Sequence, residues 1–344
     1  MMTMLISILQ GGLNGLTEYL SAHVLTCLVP AFFIAGAIST FLSQASILKY
    51  FGPQANKVLS YSVASVSGTI LAVCSCTVLP LFGGIYKRGA GLGPAVAFLY
   101  SGPAINILAI IYTARLLGYD LGVGRAIGAI MFSIIIGLVM AIIFQRSEAK
   151  KTSQAFAILP SENTKSVWKL IIYFALLVGI LTFGAQKNWP VTGALIAALL
   201  IVLWRWFTKE EIIDWLKSTG SFVKMILPWL LGGVFVAGIL KVVIPESVVT
   251  GLVGGNSLQA NAIASVSGAL MYFATLTEVP ILRSFMDLGM GYGPALTLLL
   301  AGPALSLPSM LTLRSIVGIK KTAVYVLLTA IMAIFCGFLF GIIR

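Results

Sequence analysis

The chain has 344 residues, of which 59% are hydrophobic and only 9% are Asp, Glu, Lys or Arg. Soluble chains are about 45–50% apolar and about 25% charged, so this composition excludes a soluble globular enzyme, a disordered chain and a disulfide scaffold. The net charge is +12, from 22 basic and 10 acidic residues. We assign that excess to loops facing anionic lipid rather than to nucleic acid. The composition predicts a multi-pass membrane protein.

Ten apolar stretches follow one another along the chain. We expect the segment before them to be a lead-in helix rather than a signal peptide, because it lacks a basic region and a clear cleavage site. The longest polar connection, 146–166, and a shorter one, 208–220, leave no room for a soluble domain. The stretches cover about 20–42, 58–84, 92–114, 122–145, 167–186, 191–207, 223–244, 258–282, 292–313 and 322–343.

The chain repeats itself at a constant offset of 200 residues. Residues 62–110 and 262–310 are identical at 16 of 49 positions without a gap, and many of the shared residues are Gly or Pro. These two residue types set backbone shape, so the two copies should share their turns and breaks. Internal repeats around a site near the membrane midplane are typical of secondary transporters.

The direction of the repeat depends on segments 58–84 and 258–282. If each segment crosses the membrane, the chain has ten spans, the repeat is parallel, and the basic residues divide 13 to 9. If each is a re-entrant hairpin, eight spans remain, the repeat is inverted, and the division is 16 to 6. The positive-inside rule favours the second arrangement, with both termini outside. We therefore predict an all-α polytopic fold with about eight transmembrane helices and two re-entrant hairpins.

This arrangement divides the chain into three parts. The first repeat is expected to contain one hairpin, the middle part is a linker with two connecting spans, and the second repeat contains the other hairpin. Their bounds are 1–145, 146–220 and 221–344.

The first hairpin should turn at a run that contains two cysteines. Cys74, Ser75, Cys76 and Thr77 form the tip, and Pro80 is expected to block helix continuity just beyond it. Two soft sulfurs at a broken helix could bind a thiophilic ion or exchange with a thiol-reactive solute. The alternative is that both cysteines are small buried core residues. The segment offers too few ligands for a structural metal, so we predict no metal site.

The second tip replaces the sulfur with a carboxylate. Thr275 and Thr277 are candidate substrate-binding residues, and Glu278 stands where the first tip has Val78. A carboxylate inside a membrane is costly and is by default a functional hypothesis, so Glu278 is the candidate for coupling to protons. The alternative is that it pairs with Arg283 or another basic group, or faces a cavity.

Two further polar residues follow the second break of each repeat. Asn106 and Ser306 occupy matched positions after Gly-Pro pairs, and each could face the site or bond to a neighbouring helix. Arg283 and Asp287 have the i,i+4 spacing of a helix-surface ion pair.

The sequence contains no nucleotide-binding loop, no Ser-His-Asp set and no haem site, so we predict a transporter without cofactors rather than an enzyme. Its expected partners are a small-molecule or ion substrate and the lipid bilayer of the inner membrane, but not nucleic acid; a second copy of the chain is a further candidate. A channel or facilitator is the alternative function. A membrane thiol-redox protein is a third hypothesis, although a disulfide between Cys74 and Cys76 would be strained.

The run CSCTVLPLFGGIYKRGAGLGPAVAFLYSGPAINILAI, residues 74–110, resembles the signature of the predicted permeases related to the ArsP organoarsenical exporters, a group that includes YraQ-like proteins. The resemblance implies an eight-span permease with a CSC-x-x-x-P element, carried here by Cys74, Cys76 and Pro80. The ArsP branch of this family exports trivalent organoarsenicals. The substrate predicted here is a small thiophilic or sulfur-containing solute, and the candidates are a trivalent arsenical, a soft metal or a sulfur compound.

Overall fold

The computed structural model of the protein describes residues 2–21, 28–41, 51, 55–71, 75–148, 167–243, 252–270 and 278–344. Helices dominate these residues, which confirms the all-α prediction. In chain order, α1 to α15 are Met2–Tyr19, Val29–Phe41, Lys57–Leu71, Ser75–Lys87, Leu92–Ala104, Ile107–Leu116, Tyr119–Ile143, Val167–Ala185, Trp189–Trp206, Lys209–Val243, Leu258–Leu270, Glu278–Asp287, Tyr292–Leu305, Leu307–Val317 and Ile319–Ile343.

Five described helices are long and apolar enough to cross a membrane, namely α7, α8, α9, α10 and α15. Two helix pairs, α5 with α6 and α13 with α14, qualify as spans when each pair is taken together, with bends of 44° and 43°. The multi-pass membrane protein predicted from composition is therefore confirmed. Within the described residues the candidate spans number five to seven, and α2 is an apolar helix of 13 residues that is shorter than a full span.

Both bent pairs break just after the Gly-Pro pairs of the repeat. Pro103 and Pro303 lie in the last turns of α5 and α13, where each ring removes a backbone donor and disfavours helical backbone in the residue before it. Since both copies bend at the same place by nearly the same angle, the sequence repeat is also a repeat of backbone shape.

In the first repeat, α3 and α5 run in the same direction, with α4 between them in the chain. Near their starts, a Cβ added to Gly93 of α5 would lie 1.9 Å from the Tyr61 hydroxyl of α3. Further along both helices, the Ser101 hydroxyl donates a 3.0 Å hydrogen bond to the Ala64 carbonyl. In the second repeat, α11 and α13 also run in the same direction. The Thr297 hydroxyl bonds to the Asn261 side chain at 2.7 Å, and further along both helices Gly268 lies against Gly302.

The two repeats meet along α7 and α15, which are equivalent helices at the offset of 200. Gly124 of α7 contacts Phe340 of α15, and Gly128 contacts Cys336. A step of four residues toward the C-terminus of α7 therefore corresponds to a step of four residues toward the N-terminus of α15. An ion pair between Asp120 and Arg344 continues the same register. The two equivalent helices are therefore antiparallel.

Candidate functional site

The first predicted tip is described from Ser75 onward, and the described side chains there lie inside the protein. Helix α4 begins at Ser75, at the predicted turn, and Ser75, Thr77 and Pro80 are buried. The interpretation of Pro80 as a block was wrong, because α4 continues through it to Lys87 with the loss of one backbone hydrogen bond. Cys76 lies in the first turn of α4, and Cys74 lies outside the described residues.

A cavity of about 10 Å³, the size that holds one water molecule, lies between this tip and the second repeat. Its wall combines the first turn of α4 with the break between α13 and α14, so residues from both repeats line it. The lining residues are Ser75, Val78, Leu79, Leu99, Pro303, Ala304, Ser309, Met310, Leu313 and Tyr325.

The second tip ends in a buried ion pair. Glu278 is the first residue of α12 and is 1% exposed, and its Oε2 lies 3.5 Å from Nη2 of Arg125, which is 0% exposed. Thr275 and Thr277 lie outside the described residues. The partner of Glu278 is therefore a basic residue of the first repeat and not Arg283, which instead pairs with Asp287 at 3.0 Å on the surface, as the i,i+4 spacing predicted.

Sequence reasoning missed Arg125, which it counted among the loop charges. In the structure Arg125 lies in the second turn of α7, where Nε donates to the Ala104 carbonyl at 3.0 Å and Nη1 donates to the Thr113 hydroxyl at 3.1 Å. The available signal was its position inside an apolar stretch, because an intramembrane arginine faces a partner or a cavity.

The cavity and the ion pair occupy equivalent places in the two repeats. At the offset of 200, Tyr325 corresponds to Arg125, Val78 to Glu278, and Leu313 to Thr113. Residues Tyr325, Val78 and Leu313 all line the cavity. Equivalent positions of the two repeats thus form two clusters, which we call the charged half-site (Arg125, Glu278, Thr113) and the neutral half-site (Tyr325, Val78, Leu313 and Ser75).

The matched polar residues after the breaks are both buried. Asn106 is 6% exposed between α5 and α6, and Ser306 is 1% exposed between α13 and α14. The hydroxyls of Ser306 and Ser309 are hydrogen-bonded at 2.7 Å, and Ser309 lines the cavity. Ser306 therefore reaches the neutral half-site through one hydrogen bond.

Comparison with known proteins agrees with this membrane architecture. A family described as predicted permease, of the ArsP group, matches residues 10–342. The chain belongs to the predicted-permease family. A UPF0718 protein of Methanocaldococcus jannaschii is 44% identical over 99% of this chain and 98% of its own length.

This permease is also similar, at lower identity, to two further proteins. The UPF0718 protein YraQ of Escherichia coli is 26% identical over 70% of this chain and 56% of its own length. A Streptococcus mutans protein whose name describes a subunit of a two-component membrane permease complex is 20% identical over 90% of this chain and 89% of its own length. No solved structure matches the chain. The family membership confirms the resemblance found at residues 74–110.

Proposed function

We propose that this permease is a secondary transporter. Its substrate site lies where the helices that follow the two hairpin tips, the tip helices α4 and α12, meet the two bent helix pairs, α5–α6 and α13–α14, which we call the broken spans. One observation carries the proposal: each tip helix packs against the broken span of the other repeat, α4 against α14 and α12 against α6. Broken helices at matching positions of two repeats are the usual location of a transport site, because their ends offer unpaired backbone groups to a substrate.

The proposed repeats, 1–145 and 221–344, are inverted, with the linker 146–220 between them. The antiparallel pairing of α7 with α15 supports inversion, because equivalent helices of a parallel repeat would share one direction. The shared direction of α3 and α5 supports a re-entrant hairpin, since the chain must return through α4 between them. Eight spans then follow from the five long helices, the two bent pairs and α2.

The proposed substrate is a small thiophilic or sulfur-containing solute, such as a trivalent organoarsenical or a soft metal leaving the cell. The support is the pair Cys74 and Cys76 at the first tip together with Ser75 in the wall of the cavity. Thiol and thiolate sulfur are the protein ligands that soft ions prefer. In this proposal Thr77, Thr275 and Thr277 add polar contacts, and Glu278 couples transport to an ion gradient.

We place the permease in the inner membrane with its basic loops in the cytoplasm. Membership of an assembly, as a homodimer or with a second protein, is part of the proposal, and the name of the Streptococcus mutans relative gives it support.

Uptake into inside-out proteoliposomes tests the proposal, with methylarsenite, arsenite, thiosulfate and soft cations as probes. The variants are Cys74→Ser and Cys76→Ser, and the matched control is Cys336→Ser, a cysteine of α15 that contacts Gly128. We expect at least one probe to accumulate, both tip variants to lose more than about 90% of that flux, and the control to retain it.

Parental flux in the double tip variant would show that the thiols are packing residues. Flux that runs orders of magnitude above transporter turnover and follows only the substrate's own gradient would instead indicate a channel.

A further inference from the structure

The charged half-site connects the two repeats through side chains that have unused hydrogen-bonding capacity. Arg125 has five N–H donors, and three of them reach Ala104, Thr113 and Glu278. The contact to Glu278 is long, at 3.5 Å, and Oε1 of Glu278 has no hydrogen-bond partner within the described residues. A carboxylate paired with Arg ordinarily lies at about 2.7–2.9 Å, so this pair is loose.

Other groups around the pair have unused hydrogen-bonding capacity. The Glu278 carboxylate lies directly against Gly302, where a Cβ would be only 2.7 Å from Oε1, so the carboxylate occupies the place of a missing side chain. The Tyr100 hydroxyl is buried, has no hydrogen-bond partner among the described residues, and lies within electrostatic range of Arg125. The site could therefore rearrange around a ligand without first breaking a saturated network.

Charge balance limits what this site can hold. Arg125 keeps its proton at any physiological pH, and a charge buried in protein without a counter-charge is strongly unfavourable. With Glu278 ionised, the pair is neutral. With Glu278 protonated, the positive charge of Arg125 has no partner unless a negative ion enters. One proton and one monovalent anion together leave the total charge of the site unchanged.

Among the described residues, no other charged group around α12 takes the place of Glu278 in neutralising Arg125. Helix α12 packs against α6 and α13, and α13 carries no charged residue. Arg115 of α6 is exposed, and Asp120 of α7 pairs with Arg344. On α12 itself, Arg283 and Asp287 pair with each other on the surface.

We propose that Arg125 is an anion-binding site, occupied by the Glu278 carboxylate when that group is ionised and by a small monovalent anion when Glu278 carries a proton. Proton and anion then bind together, one of each, and the link between α7 and α12 opens when they do. This inference rests on the proposed transport function for its purpose, but the anion site can be tested by binding alone.

The test is chemical rescue of a variant that lacks the carboxylate. In Glu278→Ala a space the size of the lost carboxymethyl group opens beside Arg125, and we expect formate or acetate to fill it. At about 100 mM, either anion should raise the melting temperature of the purified variant by roughly 4 °C relative to gluconate. All samples are held at pH 9, so that an intact Glu278 is ionised. The double variant Arg125→Gln/Glu278→Ala and the surface control Asp287→Asn should then show no such difference between salts.

A second measurement uses the unaltered protein, in case Glu278→Ala does not fold. Nitrate should stabilise it against gluconate more at pH 5 than at pH 9, because protonated Glu278 frees Arg125. Equal salt effects at both pH values, or rescue of the double variant as well as the single one, would overturn the anion site. Neither result depends on the flux measured with the cysteine variants, so failure of the anion site and failure of the transport function are distinguishable.

Discussion

At the scale of single residues, the buried ion pair between Arg125 and Glu278 connects the first repeat to the second. The two positions are 153 residues apart, and each lies on a helix whose counterpart in the other repeat carries a neutral residue, Tyr325 or Val78. A shared backbone therefore holds a charged pair in one half-site and a water-sized cavity in the other. Divergence of side chains on a duplicated framework is enough to give the two half-sites different chemistry.

Removing one partner of this pair should cost more than removing both. Arg125→Gln leaves Glu278 buried beside no positive charge and should lower the free energy of unfolding by about 3–5 kcal/mol. Adding Glu278→Gln should restore about 1–3 kcal/mol of that loss. Thermal unfolding of both variants in detergent measures the difference. A double variant that is less stable than Arg125→Gln would contradict the pairing.

Sequence reasoning identified half of this pair. Glu278 was recognisable because a carboxylate stood two residues before a repeated proline in an apolar segment. Arg125 was not, because its partner is distant in the sequence and its position near the start of a span resembles that of a loop charge. Only the packing of α12 against the first repeat, through α6, brings them together.

At the scale of helices, a glycine of α10 allows this helix to pack closely against the second broken span. Gly233 of α10 faces the start of α14, where an added Cβ would lie 2.4 Å from Cα of Pro308. The neighbouring Gly232 has no atom within 4 Å of an added Cβ. Since Pro308 lies just beyond the break at Gly302-Pro303, this contact holds the second broken span against α10.

The adjacent glycines provide a matched pair for testing that contact. Gly233→Ala should destabilise the protein by about 1–3 kcal/mol, because the obstructing atom is backbone and cannot rotate away. Gly232→Ala should be neutral or stabilise the helix by about 0.5–1 kcal/mol. Melting temperatures of the two purified variants provide the comparison, and equal values would show that α10 and α14 are not in this contact.

Helix breaks were predictable, but their exact form was not. The repeated Gly-Pro pairs placed the bends after Gly102 and Gly302, and the structure has them there. Pro80 is also a proline within a helix, the sixth residue of α4, but α4 continues past it to Lys87. Local sequence gives the cost of a proline in a helix, whereas tertiary packing decides whether the helix bends to relieve it.

At the scale of the whole molecule, the seam between α7 and α15 has polar contacts at both ends. At one end, Lys321 of α15 bonds to the Tyr86 hydroxyl at 3.0 Å and forms an ion pair with Glu148, which also accepts from Tyr86 at 2.9 Å. At the other end Asp120 pairs with Arg344. Between these ends the glycines of α7 let the helices approach closely, so the interface between repeats is fixed along its length.

The sequence predicted the duplication through its constant offset and favoured inversion through the 16 to 6 division of basic residues. It could not supply the contacts between the copies, because no local pattern specifies which helix of one repeat meets which helix of the other. The reciprocal packing of α4 on α14 and of α12 on α6 is a property of the folded chain alone.

The central claim, two inverted repeats around a shared site, is tested most directly by labelling two equivalent positions. Lys87 and Asp287 are exposed, 200 residues apart, and end the equivalent helices α4 and α12. Each is changed to Cys, one at a time, in a chain whose four cysteines are replaced by Ser, and intact cells receive an impermeant maleimide. We expect Asp287→Cys to react from outside and Lys87→Cys to react only after lysis. Reaction of both from the same side would contradict inversion.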